Sequence, residues 1–351
     1  MPPDHAATLG EHRFAQYVRT LGRGPGRSRA LTRAEARDAL GMMLAGAADP
    51  HQVGAFLMLL RYRGEDPAEM AGLVDAARDA VGPLPPPGIR PIDLDWPSYG
   101  AGRTRGEPWF LLAALTLARA GYRVLMHGTN DFTRGVAVPE GLAALGMAAA
   151  ASPAEAARQL DGTGFAYLPL AAFAPGLDHL LGLRSLLGLR SPLNTACRLL
   201  NPFDAPAGID GVFHPPYIDL HLSTAEYLGR RRLLVVKGGG GEAERTPLKA
   251  VAAHWSQAGQ GRGEVALPPV AGTAESGAGT AESGAGLLEV WRDGAPGLGR
   301  ATALATVALG LLAMAAATTP AEADTRAATL WERRHGGPRA EPRPDIAVYL
   351  T

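Results

Sequence analysis

Five of the nine residues from Pro83 to Pro91 are proline, and no helix continues through such a run, because proline lacks the backbone N–H and clashes with the preceding turn. The segment cuts the chain into two parts with different periodicities. Before it, apolar residues are spaced for helices. Phe14, Tyr17, Val18 and Leu21 fall at i, i+3, i+4 and i+7 within the stretch from Glu11 to Leu21. Thr32 and Glu35 form a capping box ahead of a helix ending near Gly46. Asp49-Pro50 opens the apolar stretch Val53 to Leu60, and Asp66-Pro67 with Glu69 opens a further helix to about Val81. Residues 1–82 are predicted to form a small helical domain.

Beyond the proline run the pattern alternates. Pro91 to Leu94, Arg123 to Met126, Gly164 to Leu168, Gly211 to Phe213 and Leu233 to Val236 are short strand candidates. Between them lie helices at about Trp109 to Ala120 and Pro139 to Leu145, one capped by Ser152 with Pro153 and Glu155, and a further helical segment before Leu233. Such alternation builds βαβ units and a mainly parallel sheet. The fold class is therefore α/β: a small N-terminal helical domain, then a larger α/β domain over residues 91–351.

A chain of 351 residues with 46% hydrophobic and 19% charged residues is globular and long enough for two packed units. Its 34 basic and 34 acidic residues cancel, which excludes a surface that is basic throughout but permits a local basic face. Apart from Lys237 and Lys249, those cations are arginines. The best basic stretch visible in the sequence is N-terminal: Arg13, Arg19, Arg23, Arg27, Arg29, Arg33 and Arg37, with few compensating acids. Cys197 is the lone cysteine, so no intrachain disulfide forms. Met1 to Glu11 has no apolar core of a secretory signal. The uncharged run Ala301 to Pro320 is rich in Ala, Thr and Gly and reads as a buried helix rather than a membrane span. A cytoplasmic protein with no membrane partner is expected. Residues 272–278 and 279–285 repeat Gly-Thr-Ala-Glu-Ser-Gly-Ala, a composition that predicts a flexible insertion over 271–286.

Three turns carry candidate chemistry. Tyr99-Gly100-Ala101-Gly102-Arg103-Thr104-Arg105-Gly106 sits between a strand and a helix. Closely spaced glycines there let N–H groups approach an anion, with arginine forks beside them; the alternative is a structural turn. The stretch His127 to Gly135 offers Thr129, Asn130, Thr133 and Arg134 to a phosphate or a ribose, or else caps the next helix. Lys237-Gly238-Gly239-Gly240-Gly241-Glu242-Ala243-Glu244 ends a strand, where open α/β sheets bind ligands. Glu242 and Glu244 are candidate Mg²⁺ ligands or solvated charges. Arg230-Arg231-Arg232 reads either as solvated surface or as a phosphate-backbone contact.

Together these segments resemble the anthranilate phosphoribosyltransferase (TrpD-like) family, glycosyl transferase family 3. The resemblance is carried by Gln52-Val53-Gly54-Ala55-Phe56-Leu57-Met58-Leu59-Leu60-Arg61-Tyr62-Arg63-Gly64-Glu65, by Arg184 with Leu187-Gly188-Leu189-Arg190-Ser191-Pro192-Leu193-Asn194 and Asn201-Pro202, and by His127-Gly128 with Glu140 to Gly146. It implies a fold of the nucleoside phosphorylase/phosphoribosyltransferase type and a helical domain joined in space by about residues 175–200. It also implies a homodimer through that domain, and phosphoribosyl pyrophosphate bound between the domains.

Several family motif positions are rewritten. The G-T-G-G-D turn becomes Gly100-Ala101-Gly102-Arg103 without its Asp, and the N-x-S-T phosphate motif falls near Glu107-Pro108-Trp109-Phe110. The metal-binding D-G-L-D-E becomes Gly239-Gly240-Gly241-Glu242-Ala243. Losing carboxylates and donors undermines a transition state whose leaving pyrophosphate needs neutralisation. The positive side chains persist, a pattern similar to a divergent TrpD-like subgroup associated with nucleic-acid binding. The candidate anion-binding set is Gly100, Gly102, Arg103, Arg105, His127, Thr129, Arg134, Arg190 and Lys237, with Arg198 near the same cleft. The expected ligand is single-stranded nucleic acid, held with weak sequence specificity, or another phosphate-rich molecule. The alternative is an active pentosyl- or phosphoribosyltransferase on an unidentified acceptor, with Mg²⁺ the cofactor in that case. Anthranilate activity is not expected.

Overall fold

The computed structural model describes residues 13–24, 26–82, 84–100, 106–270 and 285–336. Four helices come first: α1 (Ala15–Gly22), α2 (Arg33–Leu44), α3 (Pro50–Arg63) and α4 (Pro67–Val81). Their starts follow the capping residues. Thr32, Asp49 and Asp66 each accept from a backbone N–H of the first turn, and Glu35, Gln52 and Glu69 reach back to complete the boxes. Phe14, Tyr17 and Leu21 are buried, so the apolar face read for α1 packs inward.

The second part holds β1 (Leu94–Ser98), α5 (Trp109–Arg119), β2 (Val124–Gly128), α6 (Val138–Ala144), α7 (Pro153–Thr163) and β3 (Phe165–Pro169). Four short helices follow: α8 (Leu170–Phe173), α9 (Pro175–Gly182), α10 (Arg184–Leu187) and α11 (Leu193–Arg198). The chain then runs through β4 (Ala207–Val212), α12 (Pro216–Tyr227), β5 (Arg232–Lys237), β6 (Val251–Gln257) and β7 (Gly261–Leu267). It closes with α13 (Ala285–Asp293), α14 (Leu298–Ala313) and α15 (Pro320–Glu332).

The sheet has seven strands in the order β3-β2-β1-β4-β5-β6-β7. Strands β1 to β5 run parallel, and the hairpin β6–β7 adds two antiparallel strands at one edge. Strand order reverses between β1 and β4, which makes the gap beyond their C-terminal ends the topological switch point. Strand β1 lies later than expected and contains Pro97. Its ladder to β4 stops at Asp95, so the proline removes no hydrogen bond on that side. At the end of β2, a Cβ on Gly128 would lie 1.7 Å from the Ser98 carbonyl oxygen; only glycine lets β1 and β2 approach this closely.

Two cores flank the sheet. One gathers Phe56, Leu57 and Leu73 of α3 and α4 with Leu177, Leu180, Leu193 and Cys197 of α9 and α11, and with one face of the strands. The other joins α5, α14 and α15 to the opposite face through residues such as Trp96, Phe110, Leu117 and Leu309. All but one residue of α14 from Ala301 onward is buried, and small residues let it pack closely: a Cβ on Gly310 would meet the Leu117 side chain at 2.6 Å. No single helix among the described residues is long and apolar enough to cross a membrane. The tandem repeat lies outside the described residues, apart from Ala285 at the start of α13.

Candidate anion-binding site

A cavity of about 310 Å³ opens at the switch point. Its floor is Tyr99, which follows β1, together with Gly211 and Val212 at the end of β4 and Gly241 after β5. Its walls come from the helical side, through Arg61 and Glu65, and from the α10–α11 stretch, through Arg184, Arg190, Asn194 and Arg198. Phe213, His214, Tyr217 and His221 close it from the β4–α12 connection. Four arginines thus line one cavity that is open to solvent on one side. Burial lowers the Arg190 pKa, and the neighbouring Arg184, Arg198 and Arg61 push it further the same way. Crowded cations of this kind are relieved by an anion.

Each wall residue is held by a local contact. Arg198 is buried, donates to the Tyr99 carbonyl at 3.0 Å and stands 3.4 Å from Asp210. Arg184 lies over the Phe132 ring at 4.6 Å. Arg61 donates to the Tyr217 hydroxyl and lies 3.9 Å from Glu65, which accepts from Tyr217 at 3.4 Å. Burial raises the Glu65 pKa against the pull of its own backbone N–H and Arg61, and burial beside Glu65 raises that of Tyr217. Behind the floor, Asp210 accepts from His221 Nδ1 at 2.5 Å.

A second polar cluster lies inside the sheet. Asp95 of β1 is fully buried, 3.2 Å from His127 Nε2 and 3.1 Å from the Arg230 guanidinium. Burial works against a charged Asp95, but His127 and Arg230 outweigh it and hold the carboxyl pKa below its ordinary range. His127 Nδ1 lies 3.0 Å from the Tyr99 hydroxyl.

Comparison with known proteins agrees with this geometry. A glycosyl transferase family, helical bundle domain, matches residues 15–81, and a glycosyl transferase family, a/b domain, matches residues 110–327. The chain belongs to this glycosyl transferase family. It is 30% identical over 238 residues to the uncharacterized protein YbiB of Escherichia coli, covering 67% of this chain and 74% of that one. It is 32% identical over 230 residues to the anthranilate phosphoribosyltransferase of Methylobacterium radiotolerans, covering 64% and 65%. Its fold matches anthranilate phosphoribosyltransferase (TrpD) from Thermus thermophilus, with TM-score 0.69, 25% identity, and 92% and 97% of the two chains covered. The Saccharomyces cerevisiae anthranilate phosphoribosyltransferase in complex with PRPP and Mg shares the fold at TM-score 0.75 and 16% identity, over 92% and 94%.

Against that family frame, the residues singled out from sequence disperse. Arg190 stands in the cavity wall. Gly100 ends the Tyr99 turn, while Gly102, Arg103 and Arg105 lie outside the described residues. His127 is a correction: it is fully buried, with its ring nitrogens turned to Tyr99 and Asp95, so it braces the sheet and meets no external anion. Thr129 is another, because its hydroxyl bonds Asp178, whose pKa is raised by burial and by Asp131; two acids make that corner hostile to phosphate. Arg134 and Lys237 are exposed and do not line the cavity.

The basic clusters need correction too. Arg230 is buried against Asp95, Arg231 pairs with Asp204, and Arg232 donates to the Leu312 and Ala313 carbonyls at the end of α14. Of the N-terminal arginines, Arg13, Arg29, Arg33 and Arg37 pair with Asp38, Glu35, Asp75 and Asp79. Helix packing brings acids to them that a linear reading places far away.

The proposed metal ligands do not fit a metal. Glu244 accepts from the Phe110 N–H at 3.0 Å, which caps α5 with the chain's own carboxylate where the family motif expects a phosphate. Glu242 is buried against the Gly100 turn, where a Cβ on that glycine would lie 2.6 Å from Oε1. No group of three or more His, Cys, Asp or Glu among the described residues could hold a metal ion. Sequence reasoning misses Arg61, Tyr217, Asp210 and His221. The available signal is an Asp in an apolar strand with a His eleven residues later on the next helix, a spacing one βα unit folds together.

Proposed function

We propose that this family member binds single-stranded nucleic acid at the switch-point cavity and does not transfer a phosphoribosyl group from phosphoribosyl pyrophosphate. The observation that carries this reading is the convergence of Arg61, Arg184, Arg190 and Arg198 on one cavity, in a chain whose formal charge is zero. Guanidinium groups match phosphate geometry and remain charged when desolvated. Apolar and aromatic side chains stand among them. Phe213 and Leu189 line the cavity at 46% and 55% exposure. Bases of an unpaired strand stack on such surfaces while arginines hold the backbone.

The old reaction lacks its supports. The N-terminus of α5 meets Glu244, and a carboxylate there repels the phosphate that a transferase needs. Retention on single-stranded DNA across a salt series tests the binding reading, with calorimetry of phosphoribosyl pyrophosphate and Mg²⁺ alongside. Two to four phosphate contacts give a slope of about −1.4 to −2.8 in log K against log salt. Micromolar sugar-phosphate binding without salt-dependent DNA retention overturns the proposal in favour of the transferase.

A further inference from the structure

A second cavity, of about 190 Å³, lies away from the switch point and shares no lining residue with the first. It sits where the chain passes between the helical and the α/β domain. Arg78 and Val81 line it from α4, Leu84 from the connection toward β1, Phe173 from α8, and Leu200 and Pro202 from the connection between α11 and β4. Of these, Arg78 alone is polar. It donates through Nε to the Leu200 carbonyl at 2.8 Å and through Nη2 to the Leu199 carbonyl at 3.3 Å. Both acceptors are neutral, and among the described residues no carboxylate forms a salt bridge with this guanidinium. Burial and the neighbouring Arg230 lower the Arg78 pKa, against the pull of Asp95, Asp75 and Asp204.

The remaining polar side chains of the lining are committed elsewhere. Asn201 Nδ2 donates to the Ala205 carbonyl at 3.0 Å, and its Oδ1 accepts from the Ala205 N–H at 2.9 Å. Asp204 is exposed and lies 3.6 Å from Arg231. Asn201 and Asp204 have φ of 44° and 50°, a left-handed backbone uncommon outside glycine. The two bonds of Asn201 hold that turn, so this wall is built before any ligand enters.

We infer that this cavity binds a small apolar monocarboxylate, with the carboxylate on Arg78 and an aliphatic body against Val81, Leu84, Phe173 and Leu200. Charge sets the headgroup, because a guanidinium with neutral partners accepts one carboxylate without displacing an acid. Volume sets the body. An apolar cavity of about 150 Å³ holds a six-carbon ring, so this one takes a ring and its carboxylate but not a nucleotide. The site is therefore separate from the proposed strand-binding cavity.

Calorimetry on the full chain compares cyclohexanecarboxylate with cyclohexylmethanol, which has the same ring and no charge. A charge-assisted hydrogen bond to a half-buried guanidinium predicts millimolar or tighter binding of the acid, about 10-fold above the alcohol. Arg78→Met keeps an apolar stem and should bring the acid down to the alcohol. Val81→Trp fills the cavity and should abolish binding of both. Equal wild-type affinities, or no binding of either probe at millimolar concentration, overturn the inference. So does acid binding that survives Val81→Trp, because an acid caught by the arginines of the switch-point cavity would be untouched by that change. Where Arg78→Met fails to fold, the wild-type ratio and Val81→Trp still decide.

Discussion

The arginines of α1 and α2 and those around the switch-point cavity are the same side chain in opposite circumstances. On the helical face each paired arginine meets an acid from a neighbouring helix, as Arg33 meets Asp75 and Arg37 meets Asp79. Around the cavity Arg198 and Arg61 have acids nearby, yet Arg190 still feels Arg184, Arg198 and Arg61 as surrounding cations. A basic run in a sequence therefore says little about where an anion binds. What matters is whether packing delivers a carboxylate to each cation. The first set is paired one to one with surface acids; the second crowds four cations round one cavity, where Arg198 and Arg61 also have Asp210 and Glu65 nearby.

The sharpest break would come from an arginine balanced at full burial. Arg230 sits in space left by Gly208, where a Cβ would meet its Nη2 at 2.6 Å, and it neutralises Asp95. Arg230→Leu leaves Asp95 buried with His127 alone. Denaturant unfolding should show a loss of about 3–5 kcal/mol, while the salt slope of strand binding stays unchanged in the folded fraction. A shallower slope would mean that Arg230 touches the ligand and would erase the distinction between the two sets.

Next in size is the cavity pair. Arg184→Ala with Arg190→Ala should weaken strand binding about 100-fold, at roughly 1.4 kcal/mol per charge-assisted contact. The salt slope should fall by about 1.4, while the melting temperature holds or rises as crowding is relieved. The matching Arg33→Ala with Arg37→Ala protein should keep its affinity. If both double variants lose affinity equally, the helical face belongs to the binding surface after all.

The contrast also marks what was legible in the sequence. Capping boxes at Thr32, Asp49 and Asp66 are local, so helix starts could be read directly. The βα alternation gave the sheet, because strand–helix periodicity needs no knowledge of partners. The hairpin β6–β7 escaped: Val251 to Gln257 mixes His254, Ser256 and Gln257 with apolar residues at an edge where burial is partial. Strand β1 began late because Asp95 and Pro97 look foreign to a strand. Both are tolerated for reasons that lie elsewhere in the chain, in Arg230 and in the short β4 ladder. His127 was misassigned on the same ground, since its partners Tyr99 and Asp95 come from another strand. Arg190 and Arg61 both stand in family motifs, though only Arg190 was singled out, whereas Asp210 and His221 reach the cavity only by long-range packing.

The smallest expected effect probes the balanced face by pH. Hydrogen bonds from Arg29, helped by the Thr32 N–H, pull the Glu35 pKa from 4.5 down to about 2. A carboxyl whose folded pKa is depressed stabilises the fold fully above its unfolded value; that contribution fades as pH falls from about 4.5 and is gone below about 2. The pair is exposed and solvent-screened, so Glu35→Gln should cost only a few tenths of a kcal/mol at neutral pH. The gap in melting temperature between wild type and variant should close as pH approaches 2. A gap that persists there assigns the effect to the neutral cap on α2 rather than to charge. A rise in strand affinity of several-fold in Glu35→Gln carries more weight, because it would mean that Arg29 binds phosphate once its acid is removed. The helical face would then be a binding surface held in check by its own carboxylates, and its difference from the cavity would be one of occupancy alone.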